Sequence, residues 1–166
     1  MTVFLCGFMG CGKTTVGKLA AKKLGCGFYD SDEVIVEREG MSIPEIFAQK
    51  GEAYFRQVEV EVIKSLCDKK AVVACGGGAM LNPESAAAAA KAGAVIFLDL
   101  DFETCYARIS GDANRPIVMS STKEELEERF NSRQQVYMKH STMQIDGSGN
   151  PMTTADLIAD AVKMLK

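Results

Sequence analysis

The sequence predicts an α/β fold, a parallel sheet covered by helices on both faces, and three observations predict it. Short apolar runs alternate with longer helical stretches along the 166 residues. Strands separated by helices imply βαβ units, whose right-handed crossovers bring the strands' carboxyl ends to one edge, where ligands bind. The first apolar run passes directly into a glycine-rich segment that opens a helix, Gly7-Phe8-Met9-Gly10-Cys11-Gly12-Lys13-Thr14. The composition, 47% hydrophobic and 25% charged, is that of an ordinary soluble globular chain. At this length folding buries roughly 70% of the surface of the unfolded chain, enough for one core without staples.

In chain order, Val3–Cys6 is the first expected strand and Lys13–Leu24 the amphipathic helix behind the glycine segment. Gly25 punctuates that helix, at a point where a left-handed φ is often needed, and Gly93 is read in the same way. Phe28–Tyr29 is the second strand, followed by helices over Asp32–Glu39, Ser42–Lys50 and Tyr54–Asp68. Ala71–Cys75 is the third strand and runs into Gly76-Gly77-Gly78. Asn82-Pro83 starts the helix Pro83–Lys91; its alanine run, Ala86–Ala90, reads as packed helix because alanine is the best helix former.

Val95–Leu98 is the fourth strand and Phe102–Ser110 the helix after it. Residues 111–121 are polar and turn-rich, and Arg115 among them suggests a mobile lid. Thr122 with Glu125 three residues on has the capping pattern for a helix over Lys123–Met138. Met143–Ile145 is the fifth strand, the turn-rich Asp146–Pro151 a loop, and Thr154–Leu165 the last helix. No linker, repeat or composition break divides the chain, so 1–166 is expected to be a single domain.

Composition also excludes partners. A net charge of -3 argues against a nucleic-acid binder with a broad basic surface. No apolar run approaches the ~20 residues of a membrane span, and the start of the chain lacks a secretory pattern, so a cytoplasmic location is expected. The six cysteines include no CxxC spacing, which fits thiols in a reducing compartment better than a zinc site or disulfide framework.

Gly7-x-x-x-x-Gly12-Lys13-Thr14 has the spacing of a phosphate-binding loop, in the required context of a strand before and a helix after. Glycines let successive N–H groups turn inward around phosphate oxygens at the positive end of the helix. Lys13 can span the β- and γ-phosphates and the Thr14 hydroxyl can ligate Mg²⁺. Gly10, Cys11, Gly12, Lys13, Thr14 and Thr15 are therefore candidate contacts to ATP, with Mg²⁺ as the implied metal.

Such a site usually needs an acid near the metal, yet the third strand ends in glycines. Asp30-Ser31-Asp32 is the best offer: Asp30 near Mg²⁺ through water, Asp32 on an acceptor hydroxyl as base or orienter. The alternative is that Asp32 caps the helix that follows. The triple glycine can bring backbone N–H groups close to a ligand, and Arg56, Arg108, Arg115 and Arg133 can each grip a carboxylate or phosphate, or stand in surface ion pairs. These residues by themselves indicate a small-molecule kinase or nucleoside triphosphatase.

Taken together they resemble shikimate kinase along nearly the whole chain. The loop Gly7–Thr14 with its methionine, Asp30-x-Asp32, Gly40-Met41-Ser42-Ile43-Pro44-Glu45-Ile46-Phe47, Gly51-Glu52-Ala53-Tyr54-Phe55-Arg56 with Glu59, Gly76-Gly77-Gly78, Arg108, Arg115-Pro116, and Arg133 with Tyr137 follow in the family's order. The resemblance implies a three-layer P-loop kinase fold with a five-stranded parallel sheet of order 2-3-1-4-5. It implies that Asp32, Arg56, Gly77, Gly78 and Arg133 bind shikimate, the arginines through its carboxylate and Asp32 through the reacting hydroxyl. Lys13, Asp32 and Arg115 would be catalytic, with Arg115 delivered by the lid. Arg108 and the loop holding Asn150 would flank the adenine.

The implied reaction is transfer of the ATP γ-phosphoryl group to the 3-hydroxyl of shikimate, by a monomer. The lid departs from the family where Ile117-Val118 replaces the commoner pair of leucines, and Ser141 stands where alanine is common. His140, the only histidine, matches no motif position and is expected to be structural or on the surface. A kinase for another polyol acid such as gluconate, or a nucleotide-binding module without catalysis, would share the loop. Phe55-Arg56 and Arg133 speak against the first, and the intact Lys13, Thr14, Asp30, Asp32 and Arg115 against the second.

Overall fold

The computed structural model describes residues 1–112 and 116–166, so Arg115 and part of the expected lid lie outside the described residues. Among the described residues there are five strands: β1 (Thr2–Cys6), β2 (Gly27–Asp30), β3 (Ala71–Ala74), β4 (Gly93–Asp99) and β5 (Met143–Asp146). They alternate with helices α1 (Lys13–Leu24), α2 (Ser31–Glu39), α3 (Ile43–Lys50), α4 (Glu52–Leu66), α5 (Pro83–Ala92), α6 (Phe102–Ile109), α7 (Pro116–Ser120), α8 (Lys123–His140) and α9 (Pro151–Met164). The strands pair in parallel in the order β2-β3-β1-β4-β5, as the resemblance implies.

The central strands are apolar at successive positions because both of their faces are covered. Along β1, Val3 and Leu5 point into one apolar layer and Phe4 and Cys6 into the other. Along β4, Ala94, Ile96 and Leu98 alternate with Val95 and Phe97 in the same way. The first layer is closed by α1, α6 and α9, through residues such as Val16, Cys105 and Ile158; the second by α2 to α5, through Ile35, Ile46, Ile63 and Ala89. Helix α8 reaches both, with Phe130 in one layer and Tyr137 in the other. The alanine run is packed helix, with Ala86 and Ala89 buried.

Helix ends follow the local chemistry. Asn82 accepts from Glu84 N–H and Thr122 from Glu125 N–H, and Gly25 takes φ 65° at the end of α1. Gly93 differs from the expectation: its φ of 171° is extended backbone, open to any residue. Glycine is required there by proximity, since a Cβ would collide with the Thr2 carbonyl across the β1–β4 pairing. A second difference concerns Asp32. The cap of α2 is Asp30, whose Oδ1 accepts from the N–H groups of Asp32 (2.9 Å) and Glu33 (3.3 Å), while Asp32 lies inside the first turn. A third is the short helix α7, formed where the sequence reads as turn-rich.

Candidate active site

The carboxyl ends of β1, β2 and β3 converge on one edge, and the glycine segment bridges β1 to α1 there. Gly7, Gly10 and Gly12 take φ values of 146°, 78° and 94°. Gly10 is also confined: a Cβ would lie 2.9 Å from the Cys105 carbonyl. Lys13 Nζ donates to the carbonyls of Gly7 (2.7 Å) and Phe8 (3.0 Å), which holds its charge over the loop. Arg108, on α6, donates from Nη1 to the Gly10 carbonyl at 3.0 Å and leans over the same loop. The Thr14 hydroxyl donates to Asp30 Oδ2 at 3.2 Å, so the loop and the end of β2 meet.

A cavity of about 560 Å³ follows this loop, lined by Gly10 through Thr15, Asp30, Asp32, Gly76, Gly77, Arg108, Gly147 and Gly149. A second cavity of about 710 Å³ lies beside it, lined by Ile43, Pro44, Phe47, Phe55, Arg56, Glu59, Gly78, Ile117 and Arg133. Met9, Asp32 and Gly77 line both. One chamber is walled by a phosphate loop and the other by two guanidinium groups and apolar rings. They share a carboxylate at the junction, which is the layout a phosphoryl donor and a small acidic acceptor require.

Arg56 is held from behind. Its Nη1 lies 2.9 Å from Oε1 of Glu59, one turn along α4, and Glu59 is only 3% exposed. Burial pushes the Glu59 carboxyl up from its ordinary range, and the neighbouring Arg56 partly opposes this. At Gly76 and Gly78 a side chain is excluded because charged groups occupy the space, whereas Gly77 has room for one. A Cβ at Gly76 would collide with the Asp32 carboxylate and one at Gly78 with the Arg56 guanidinium, while one at Gly77 would lie 3.5 Å from Arg133 Nη1. Ser31 accepts from the Gly76 N–H at 2.9 Å, and Tyr137 donates to the Gly77 carbonyl at 2.5 Å.

The family model described as shikimate kinase matches residues 9–164. The chain belongs to the shikimate kinase family. A shikimate kinase of Geobacillus thermodenitrificans is 43% identical over 98% of this chain and 89% of its own length. One from Streptococcus gordonii is 40% identical over 99% and 100%. A solved shikimate kinase from Acinetobacter baumannii, in complex with shikimate, matches with a TM-score of 0.91 and 33% identity, covering 99% of this chain and 94% of that one. A deoxyadenosine kinase from M. mycoides, 15% identical with a TM-score of 0.63, shares the fold. The chain is accordingly a kinase that uses ATP to phosphorylate shikimate, in the pathway to aromatic amino acids.

Most sequence-derived candidates come together. Gly10, Cys11, Gly12, Lys13, Thr14, Thr15, Asp30 and Arg108 line the first cavity, Arg56, Gly78 and Arg133 the second, and Asp32 and Gly77 their junction. Asn150 is placed differently. Its side chain caps α9, accepting from Thr153 N–H at 2.9 Å, and its neighbours Gly149 and Pro151 line the first cavity. Arg115 lies outside the described residues. Sequence reasoning named Ser31 and Met9 within their motifs but gave neither a role, since the contacts that involve them are with residues distant in the chain.

Among the described residues no helix is long and apolar enough to cross a membrane. The six cysteines are free thiols, and burial pushes Cys6 and Cys105 up to about 12, which leaves both protonated and unreactive near neutral pH.

Proposed function

We propose that the chain transfers the γ-phosphoryl group of ATP to the 3-hydroxyl of shikimate, with Asp32 at the point of transfer. The observation that carries this reading is the pair of adjoining cavities that share Asp32 and Gly77. Arg56 and Arg133 take the acceptor's carboxylate by charge-assisted hydrogen bonds, and the apolar wall of Ile43, Pro44, Phe47 and Phe55 covers its ring. Asp32 accepts from or orients the reacting hydroxyl. Lys13, braced on two loop carbonyls, faces the charge that develops on the transferring group. By family resemblance Arg115 adds a second positive charge there. Alignment and charge neutralisation supply most of the rate, with little demand for a strong base.

The donor set fits Mg²⁺. Thr14 Oγ1 and Asp30 Oδ2 are hard oxygens 3.2 Å apart on the nucleotide cavity. Among the described residues no cluster of three or more His, Cys, Asp and Glu side chains could cage an ion. Mg²⁺ is held by one or two protein oxygens together with waters and phosphates. When bound it neutralises phosphate charge; Thr14 would be its direct ligand and Asp30 would reach it through water.

The test is a coupled ADP-release assay against a panel of acceptors that includes shikimate and gluconate. Shikimate should be phosphorylated with clear preference. Asp32→Asn should lower kcat by about 100-fold or more while ADP binding stays near wild type. Near-normal turnover by that variant would remove Asp32 from the role given to it.

A further inference from the structure

Three charged groups of the acceptor site rest on one short turn. Asp32 lies against Gly76, Arg133 over Gly77 and Arg56 against Gly78. These groups come from α2, α8 and α4, and the turn is a surface that all three elements share. That surface is glycine backbone beyond the end of β3, with no side chain of its own to anchor it and no ladder partner from the sheet at Gly77 or Gly78. The segment closes on itself through the Ala79 N–H to the Gly76 carbonyl at 3.0 Å, which leaves the Gly76 N–H and the Gly77 carbonyl for other elements to bond.

Two buried hydroxyls hold it, from opposite sides. Ser31, 0% exposed, sits between Asp30 and Asp32 and accepts the Gly76 N–H at 2.9 Å. Tyr137, also 0% exposed, donates to the Gly77 carbonyl at 2.5 Å, with its ring stacked on Phe97 of β4 at 5.6 Å between centroids. Burial pushes the Tyr137 phenol up, so it keeps the proton it donates. Arg133 is one turn before Tyr137 on the same helix. One turn after it, the ring of His140 pairs through Nδ1 with the Met80 carbonyl at 2.7 Å, just beyond the glycines. Helix α8 thus presents a guanidinium to the acceptor and two anchors to the segment behind it.

We propose that Ser31 and Tyr137 are positioning residues that clamp the triple-glycine turn, and that the clamp sets affinity for the acceptor by fixing the spacing of Asp32, Arg56 and Arg133. The inference rests on the acceptor site described above. Neither hydroxyl needs to touch the substrate. Gly76 and Gly77 line the first cavity too, but the nucleotide loop is anchored on β1 and α1 and no hydrogen bond among the described residues ties it to the turn, so loosening the turn should weigh more on the acceptor than on the nucleotide.

The experiment compares wild type, Tyr137→Phe, Ser31→Ala and the double variant, measuring KM for shikimate, kcat, and ADP affinity by calorimetry. Tyr137→Phe keeps the stacked ring and removes one hydrogen bond. Each single variant should raise the shikimate KM by about five- to tenfold, the scale of one lost hydrogen bond, with ADP affinity within about twofold of wild type. Because both hydroxyls act on one turn, the double variant should raise KM by less than the product of the two single effects. An unchanged shikimate KM in Tyr137→Phe, equal losses of ADP and shikimate affinity, or independent effects in the double variant would overturn the clamp. If Tyr137→Phe does not fold, Ser31→Ala carries the same KM-against-ADP comparison from the other side of the turn. A wild type that releases no ADP with shikimate would instead overturn the acceptor site itself.

Discussion

Substituting alanine at Gly78 places a methyl group where the Arg56 guanidinium now lies, and the collision involves Nη1, Cζ and Nη2 together. The crowded atoms are the end of a flexible side chain, so the backbone can stay and the arginine must swing away. Swinging breaks the 2.9 Å contact with Glu59 and withdraws one of the two guanidinium groups facing the acceptor cavity. A hydrogen bond to a charged group is worth about 1.5–3 kcal/mol, which predicts a shikimate KM raised about 10- to 150-fold. ADP affinity should be nearly unchanged, since Gly78 is not on the nucleotide cavity. Gly77→Ala provides the comparison, because its Cβ would sit 3.5 Å from Arg133, an ordinary contact. The assay is initial-rate ADP release with shikimate varied at saturating ATP, beside calorimetric ADP binding and thermal melting. A Gly78→Ala enzyme with KM within about twofold of wild type, or a larger effect from Gly77→Ala than from Gly78→Ala, would refute the reasoning.

Two further predictions concern stability. Burial raises the Glu59 carboxyl above its ordinary value of 4.5, so the folded state holds that proton to higher pH than the unfolded chain does. Stability from this group is therefore present below the ordinary value and lost as pH rises through the raised one. Glu59→Gln should thus gain stability relative to wild type between acid and neutral pH; melting curves at a series of pH values that show a constant or shrinking difference would contradict this. Gly10→Ala forces a left-handed φ of 78° on alanine and drives its Cβ toward the Cys105 carbonyl. It should cost about 1–3 kcal/mol in chemical denaturation and weaken ADP binding strongly, and an unaltered ADP affinity would count against the loop geometry.

Much of this protein was legible in the chain because the signals are local. Alternating apolar runs and helical periods place five strands, and the glycine-lysine-threonine spacing places a phosphate loop, since both depend on residues within a few positions of one another. Capping is local too, yet the capping rule points to Asp32 as the alternative to its role at the acceptor, with Asp30 assigned to the metal. Only the end of β2 decided that Asp30 caps and meets Thr14 while Asp32 enters the helix and faces the junction. Asn150 shows the same ambiguity, with its side chain serving the start of α9.

The acceptor site was different, because no spacing in the sequence says that residues 31, 32, 56, 133 and 137 share one turn. Periodicity finds strands but not their order, and the order 2-3-1-4-5 came from family resemblance before the sheet pairing bore it out. That order puts β3 between β2 and β1, so the glycines after β3 lie beside the acids after β2 and against the second half of α8. Ser31 reaches Gly76 across 45 residues and Tyr137 reaches Gly77 across 60. The sequence by itself determined the strands, the longer helices and the phosphate loop, whose signals are local. The tertiary structure decided which charges meet, because those contacts close only after strands and crossover helices have brought distant loops to one edge.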